Sequence, residues 1–388
     1  MFSEKGTGRF VSSRVRDIRP SGIRAFFDLN AAGGDTIALG VGEPDFVTPE
    51  KVREACIQAL REGQTKYTSN AGLMELREEI SAYFSGSFAL SYDPEHEMIV
   101  TVGSSEAVDL ALRAVIDPGD EVLIPAPSYI AYEPITHLHG GKIVEVAATA
   151  EEQFKLTPQA LQAAITPHSK VLMINYPCNP TGTVMTKQDW LPITELIIKH
   201  NLVVISDEVY AELTYGRKHV SIASLPGMKE RTIVISGFSK AFGYACGPHE
   251  LIAGMLKIHQ YTAMCAPTIA QIAALESLRH GLVAKDEMMA SYNDRRKLFV
   301  AGLNAIGLAC HEPEGAFYAA FPSITSTGMS SEQFALRMLK EAKVAVVPGH
   351  VFGSGGEGFI RCSYAASLVD LEKALERMGR FMRVMQPV

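Results

Sequence analysis

The 388-residue chain has one tryptophan, six cysteines and no apolar run near the ~18 residues of a membrane helix. Cys56, Cys178, Cys246, Cys265, Cys310 and Cys362 lie far apart and form no C-x-x-C pair. That excludes a zinc knuckle or a thioredoxin-type motif and fits the reduced thiols of a cytoplasmic protein. The first fifteen residues lack the apolar stretch of a secretion signal. Positive charge is in deficit: 36 Lys and Arg face 43 Asp and Glu, a net charge of −7. The longest basic cluster is Arg295-Arg296-Lys297, so the basic face that nucleic acid demands is missing. Repeats and low-complexity tracts are absent. His137 and His139 read as solvated loop residues, and no metal is expected.

Apolar residues make up 47% of the chain and charged ones 20%, which is ordinary globular usage and excludes disorder. From about residue 51 to 270, helix and strand patterns alternate. Helices are expected over Pro49–Gly63, Leu73–Tyr83, Ser105–Ile116 and Lys187–His200. Between them lie short strands: Met98–Val102, Glu121–Ile124, Lys142–Val146, Val171–Asn175, Leu202–Ser206 and Thr232–Ile235. Most are continuous apolar runs, as strands buried on both faces of a parallel sheet require. The fold class is therefore α/β, with a large domain built on a mostly parallel sheet flanked by helices. After a long helix near Asp286–Ile306, short strands (Ala316–Phe321, Val344–Val347, Phe359–Cys362) interleave with helices Ser331–Glu341 and Leu368–Met385. This is a smaller α+β domain. The expected division is 46–289 for the large domain, with 1–45 and 290–388 forming the small one.

Open α/β sheets hold ligands outside the carboxyl ends of their strands. The residues there are Gly103-Ser104-Ser105 opening a helix, Asn179-Pro180-Thr181-Gly182, Asp207-Glu208-Val209-Tyr210, and Ser239-Lys240. A helix N-terminus with hydroxyls suits a phosphate. A lysine amine can form a Schiff base. A carboxylate opposite a pyridine nitrogen keeps it protonated. Asn179 and Tyr210 can hydrogen-bond a phenolate oxygen. Together these groups are complementary to a phosphorylated aromatic aldehyde. Singly they are weak: Lys240 could be a surface lysine, Asp207 a cap, and Arg361 a structural ion pair. Trp190 reads as helix packing. Gly353-Ser354-Gly355-Gly356-Glu357-Gly358 fits G-x-G-x-x-G but precedes a strand, so a flexible loop is expected instead of a dinucleotide site.

The order of these motifs resembles the fold-type I, pyridoxal-phosphate-dependent class I aminotransferases, in the branch with aspartate, aromatic and N-acetyl-diaminopimelate enzymes. The resemblance spans nearly the whole chain. It rests on Val41-Gly42-Glu43-Pro44-Asp45-Phe46, Lys66-Tyr67-Thr68, Gly103-Ser104-Ser105, Asn179-Pro180-Thr181-Gly182, Ser206-Asp207-Glu208-Val209-Tyr210, Ser239-Lys240, Gly315-Ala316-Phe317-Tyr318 and Arg361-Cys362-Ser363. It implies pyridoxal 5′-phosphate as cofactor, carried on Lys240 as the internal aldimine. Asp207 would pair with the pyridine nitrogen, and Asn179 and Tyr210 with the ring hydroxyl. Gly103, Ser104, Ser105 and Ser239 would surround the phosphate. Tyr129 either stacks on the ring or packs in the core. Arg361 would clamp the substrate α-carboxylate, helped by Asn179 and the Gly42 amide. Tyr67 would reach the phosphate of a neighbouring subunit, which implies a homodimer with shared sites. The implied reaction moves an amino group from an amino acid to a 2-oxo acid. Arg24, in Ser21-Gly22-Ile23-Arg24, either meets a distal substrate carboxylate or lies on the surface.

One departure stands out. After its lysine the family usually reads roughly K-x-x-x-M-x-G-W-R-I-G-Y, where the Arg binds the cofactor phosphate. This chain reads Lys240-Ala241-Phe242-Gly243-Tyr244, and no Lys or Arg follows Lys240 until Lys257. About seven residues, that Arg included, are missing after Phe242. Alternative readings are therefore a lyase or synthase on the same scaffold, or a folded dimer with impaired catalysis.

Overall fold

The computed structural model describes residues 10–18, 20, 22, 35–40, 42–238 and 242–385; of residues 238, 242 and 318–320 it describes the backbone. Strand β1 (Ile37–Ala38) pairs in parallel with a strand near the carboxyl end of the chain. The central sheet is built from β2 (Met98–Thr101), β3 (Glu121–Ala126), β4 (Lys142–Ala147), β5 (Ser169–Asn175), β6 (Val203–Asp207), β7 (Thr232–Phe238) and β8 (Phe242–Cys246), in the spatial order β2-β8-β7-β6-β5-β3-β4. All run one way except β8, which is antiparallel to both neighbours. The carboxyl ends of β2, β3, β5, β6 and β7 therefore share one edge.

Burial on both faces explains the unbroken apolar strands. Along β5, Val171 and Met173 join one cluster with Ile205, Leu112 and Met255, whereas Leu172 and Ile174 join another with Val204, Trp190 and Ile197. Trp190 is buried against Tyr176, ring edge to face at 5.6 Å, in the helix Lys187–Lys199. That helix starts in a capping box between Thr186 and Asp189, which satisfies two otherwise orphaned amides.

A separate cluster gathers Ile37, Leu39, Tyr292, Phe299, Phe317, Phe334, Cys362 and Met378. It lies among β9 (Tyr318–Ala320), β10 (Val344–Ala345), β11 (Val347–Pro348), β12 (Ile360–Ser363) and the helices Leu282–Ala305, Ser331–Arg337 and Leu368–Met385. The antiparallel sheet β11-β12-β9 carries Arg361 on its middle strand.

The structure departs from the sequence expectations at several points. The second helix is Met74–Phe88, extended because Phe84 and Phe88 continue its apolar packing. The expected helix to Glu341 ends at Arg337 and passes into a π-turn, Met338–Ala342. Val344–Val347 divides at Val346, because β10 pairs with β1 and β11 with β12. β8 was absent from the expected strands. His137 and His139 are half-buried: His139 Nε2 lies 2.7 Å from Asp109 Oδ1 and His137 Nε2 is enclosed, so neither is a solvated loop residue. The glycine-rich stretch at 353–358 does precede a strand, β12, but it is packed on the large sheet. Ser354 Oγ donates to Glu145 Oε2 at the edge strand β4, and Ser128 N–H donates to Phe352 O at 2.8 Å.

Candidate active site

Asp207 ends β6 and Asn175 ends β5, and the two are register partners. The Asp207 carboxylate is buried. Its Oδ2 accepts from the Tyr132 hydroxyl at 2.6 Å and its Oδ1 from the Val209 amide at 3.2 Å. Burial pushes the Asp207 carboxyl up to about 6, and neighbouring Glu208 adds to this, while the phenol and the amide act in the opposite direction. Tyr132, itself buried and beside that carboxylate, is held far above an ordinary phenol, so it stays protonated and donates. Among the described residues Asp207 has no cationic partner. Glu208 is served elsewhere: Ser206 Oγ, Ser221 Oγ and His219 Nε2 lie 2.9, 2.7 and 2.8 Å from its carboxylate oxygens.

The turn after β5 brings Asn179 back over the sheet edge. Asn175 Nδ2 donates to Asp207 O and Asn175 Oδ1 accepts from the Asn179 amide, both at 2.9 Å. Asn179 Oδ1 in turn accepts from Arg361 Nη1 at 2.9 Å, and Arg361 Nη2 donates to Gly40 O at 2.8 Å. Arg361 is buried, with its guanidinium 5.0 Å above the Phe352 ring. Gly315 fits against this turn because a Cβ there would lie 2.6 Å from Pro177 Cβ, and its amide donates to Gly182 O.

At the other side of the crevice the helix Gly103–Val115 begins with Val102 at its N-cap and no side-chain cap. Its opening residues Gly103, Ser104 and Ser105 carry first-turn amides suited to an anion. β8 passes directly beneath: a Cβ on Gly243 would sit 2.2 Å from Ser104 N, so only glycine fits there. Thr101 and Gly237 flank Gly243 in register, and Phe238 pairs with Phe242. The register runs unbroken through Phe242 and Gly243, so residues 239–241 alone connect β7 to β8. Ser239 and Lys240 lie outside the described residues, as do Arg24 and Val41.

Tyr129 is half-buried with its ring 5.4 Å from Tyr132, edge to face. Tyr210 packs edge-on against Phe317 at 5.5 Å. Gly42 is buried in a segment fixed by Arg295, whose Nη1 donates to both Asp45 carboxylate oxygens and to Ala366 O, each at 2.8 Å. Tyr67 is 78% exposed. Tyr132 and Asn175 were not singled out from the sequence. A tyrosine three residues after Tyr129 and an asparagine closing a buried strand were the available signals.

The donor set fits a pyridine cofactor. A buried carboxylate with no cation beside it among the described residues is completed by a pyridinium N–H, and the first-turn amides of the helix Gly103–Val115 lie at the same edge, with Glu106 Oε2 accepting from the Val102 amide at 2.5 Å. A mostly parallel sheet bearing this site defines a pyridoxal-phosphate-dependent transferase. Residues 34–378 match the family described as aminotransferase class I and II, and the chain belongs to it. It is 56% identical to a putative aminotransferase, YugH, of Bacillus subtilis over 380 residues, covering 96% of this chain and 98% of that one. It is 44% identical to an aspartate aminotransferase of Pyrococcus abyssi, with 96% and 98% covered. The solved aspartate aminotransferase of Thermus thermophilus with maleate superposes with a TM-score of 0.91 at 39% identity, covering 96% and 99%. The protein is a transaminase: it uses pyridoxal phosphate and moves an amino group between an amino acid and a 2-oxo acid. These relatives favour transfer over lyase or synthase chemistry and over a catalytically inert dimer.

Proposed function

We propose that this transaminase works through Lys240, Asp207, Asn179, Tyr210 and Arg361, with residues 46–289 holding the cofactor and residues 1–45 and 290–388 forming the domain that brings Arg361 to the substrate. The observation that carries the reading is the buried Asp207 carboxylate. The bound cofactor supplies an electron sink for the α-carbon of the amino acid. Asp207 keeps the ring nitrogen protonated, and Tyr132 holds the carboxylate in place. Asn179 and Tyr210 donate to the ring hydroxyl, and Tyr129 covers the ring. Gly103, Ser104, Ser105 and Ser239 cradle the phosphate with amides and hydroxyls. Lys240 carries the cofactor and moves the proton at the substrate α-carbon. Arg361 binds the α-carboxylate in a bidentate pair, with Asn179 and the Gly42 amide beside it.

The active unit is a homodimer in this reading. Tyr67, Tyr261 and Met264 are exposed large apolar residues, and their segments are tied together: Thr268 Oγ1 donates to Lys66 O at 2.7 Å and Asn70 Nδ2 to Met264 O at 2.6 Å. An exposed apolar surface of this kind suits a second copy, whose phosphate Tyr67 would reach. The six free thiols fit a cytoplasmic enzyme, and amino transfer fits a part in amino-acid biosynthesis.

The test is a single turnover. Loaded enzyme mixed with aspartate, alanine or phenylalanine, without an acceptor, should release one 2-oxo acid per subunit and stop. Continued product formation without an acceptor would refute amino transfer.

A further inference from the structure

The geometry points to Asn175 as the positioning residue that ties the cofactor half of the site to the substrate half. The inference rests on the roles proposed above for Asp207, Asn179 and Arg361. Asn175 is 4% exposed and ends β5, directly beside Asp207 in the parallel pairing. Its carboxamide spans the gap between two functional segments, donating to Asp207 O and accepting from the Asn179 amide, both at 2.9 Å. From there the path continues without a break through Asn179 Oδ1 to Arg361 Nη1 at 2.9 Å and through Arg361 Nη2 to Gly40 O at 2.8 Å.

The two partners of Asn175 fix its orientation. A carbonyl oxygen needs the NH2 end and an amide N–H needs the oxygen end, so a flipped carboxamide would lose both bonds. A carboxylate at this position offers acceptors only, and an alkyl side chain offers neither group. Both contacts lie in the dry interior, where leaving a partner unmet is costly. The bond to Asn179 is also not what closes the turn. The turn has its own backbone bonds, from Cys178 N–H to Thr183 O at 2.9 Å and from Gly182 N–H to Cys178 O at 2.8 Å. What Asn175 adds is the distance between the cofactor-nitrogen carboxylate and the residue that orients the substrate arginine. Small errors in such a spacing cost far more in function than in folding.

The experiment uses the full chain with Asn175→Ala and Asn175→Asp. Pyridoxal phosphate is titrated into apoprotein by fluorescence, and maleate into the loaded enzyme as a non-reacting carboxylate probe. Asn175→Ala should weaken both ligands by about tenfold or more. In an Arg361→Ala background the further loss for maleate should largely vanish, because the path to the arginine has already been cut. Asn175→Asp supplies a readout that a merely structural residue would not move. When protonated it offers one donor and one acceptor and restores both contacts; when ionised it offers acceptors only. Its cofactor affinity relative to wild type should therefore fall as pH rises, whereas that of Asn175→Ala should stay low throughout. A chain in which Asn175→Ala lowers the melting temperature but leaves both affinities within twofold of wild type overturns the proposal. So does an Asn175→Asp protein whose relative affinity ignores pH. Asp207→Asn and Arg361→Ala serve as references. If they also leave cofactor and maleate binding unchanged, the site reading itself fails; if they weaken binding and Asn175→Ala does not, the inference alone fails.

Discussion

The Tyr132 hydroxyl lies 2.6 Å from Asp207 Oδ2, and both side chains are buried at the carboxyl edge of the central sheet. The phenol is the shortest contact to a carboxylate whose burial pushes it up to about 6. Tyr132→Phe removes that donor without changing shape, so the Asp207 carboxyl should move above about 6. Cofactor affinity at neutral pH should drop about tenfold, since a hydrogen bond to a charged group contributes roughly 1.5–3 kcal/mol. Fluorescence titration of the apoprotein across pH checks this. Unchanged affinity and pH profile would reduce Tyr132 to packing.

Asp207→Asn gives a stability signature whose sign is fixed. In the folded apoprotein the carboxyl holds its proton to about pH 6, against an ordinary value of 3.8. The folded state thus binds more protons than the unfolded one in that window, and this group's contribution to stability falls as pH rises through it. The asparagine variant does not titrate. Its stability relative to wild type should increase between about pH 4 and 6 and level off above. Paired denaturant titrations read the difference directly. Amino transfer by the loaded variant should slow by orders of magnitude, because the ring nitrogen loses its proton partner.

Arg361→Ala should act on the α-carboxylate. Truncating one partner of a buried, hydrogen-bonded charge pair costs roughly 2–5 kcal/mol. KM for an amino acid should rise steeply, while an amine lacking the carboxylate should be nearly indifferent. Equal losses for both compounds would make Arg361 a purely structural member of β12.

Cofactor phosphate is expected to be the weak point of this chain. β7 and β8 are joined by three residues, and no Lys or Arg occurs between Lys240 and Lys257, where the family places its phosphate-binding arginine. In the proposed site, amides and hydroxyls would hold the dianion without that charge-assisted partner. A family-type seven-residue segment inserted between Phe242 and Gly243 should tighten pyridoxal phosphate by at least about tenfold and raise turnover. If the unaltered chain already binds as tightly, another group has taken the arginine's place.

Much of this architecture is legible in the sequence because it follows from local pattern. Strands buried on both faces read as continuous apolar runs, as residues 171–174 of β5 and 203–205 of β6 do. Asp207, the last residue of β6, and Asn179, in the turn after β5, then fall at a common edge. β8 escapes this logic: Phe242–Cys246 is short, contains glycine and follows a connection shorter than the family pattern, so nothing local marks a strand. Asn175 and Tyr132 escape it for a different reason. Each acts through a partner far away in sequence, Asp207 in both cases: the parallel register of β5 and β6 brings Asn175 to it, and the helix Tyr132–Leu138 that follows β3 brings the phenol. The histidines at 137 and 139 read as polar loop residues because Asp109, the partner of His139, sits on a helix 30 residues earlier.

One amine, Lys240, is proposed to carry the cofactor at the edge where Asp207 meets the ring nitrogen. Borohydride reduction of the loaded enzyme, followed by proteolysis and mass mapping, tests it most directly. The expected result is a single pyridoxyl-modified peptide containing Lys240, with modification lost in Lys240→Ala. A pyridoxyl group fixed stoichiometrically on any other lysine would contradict it.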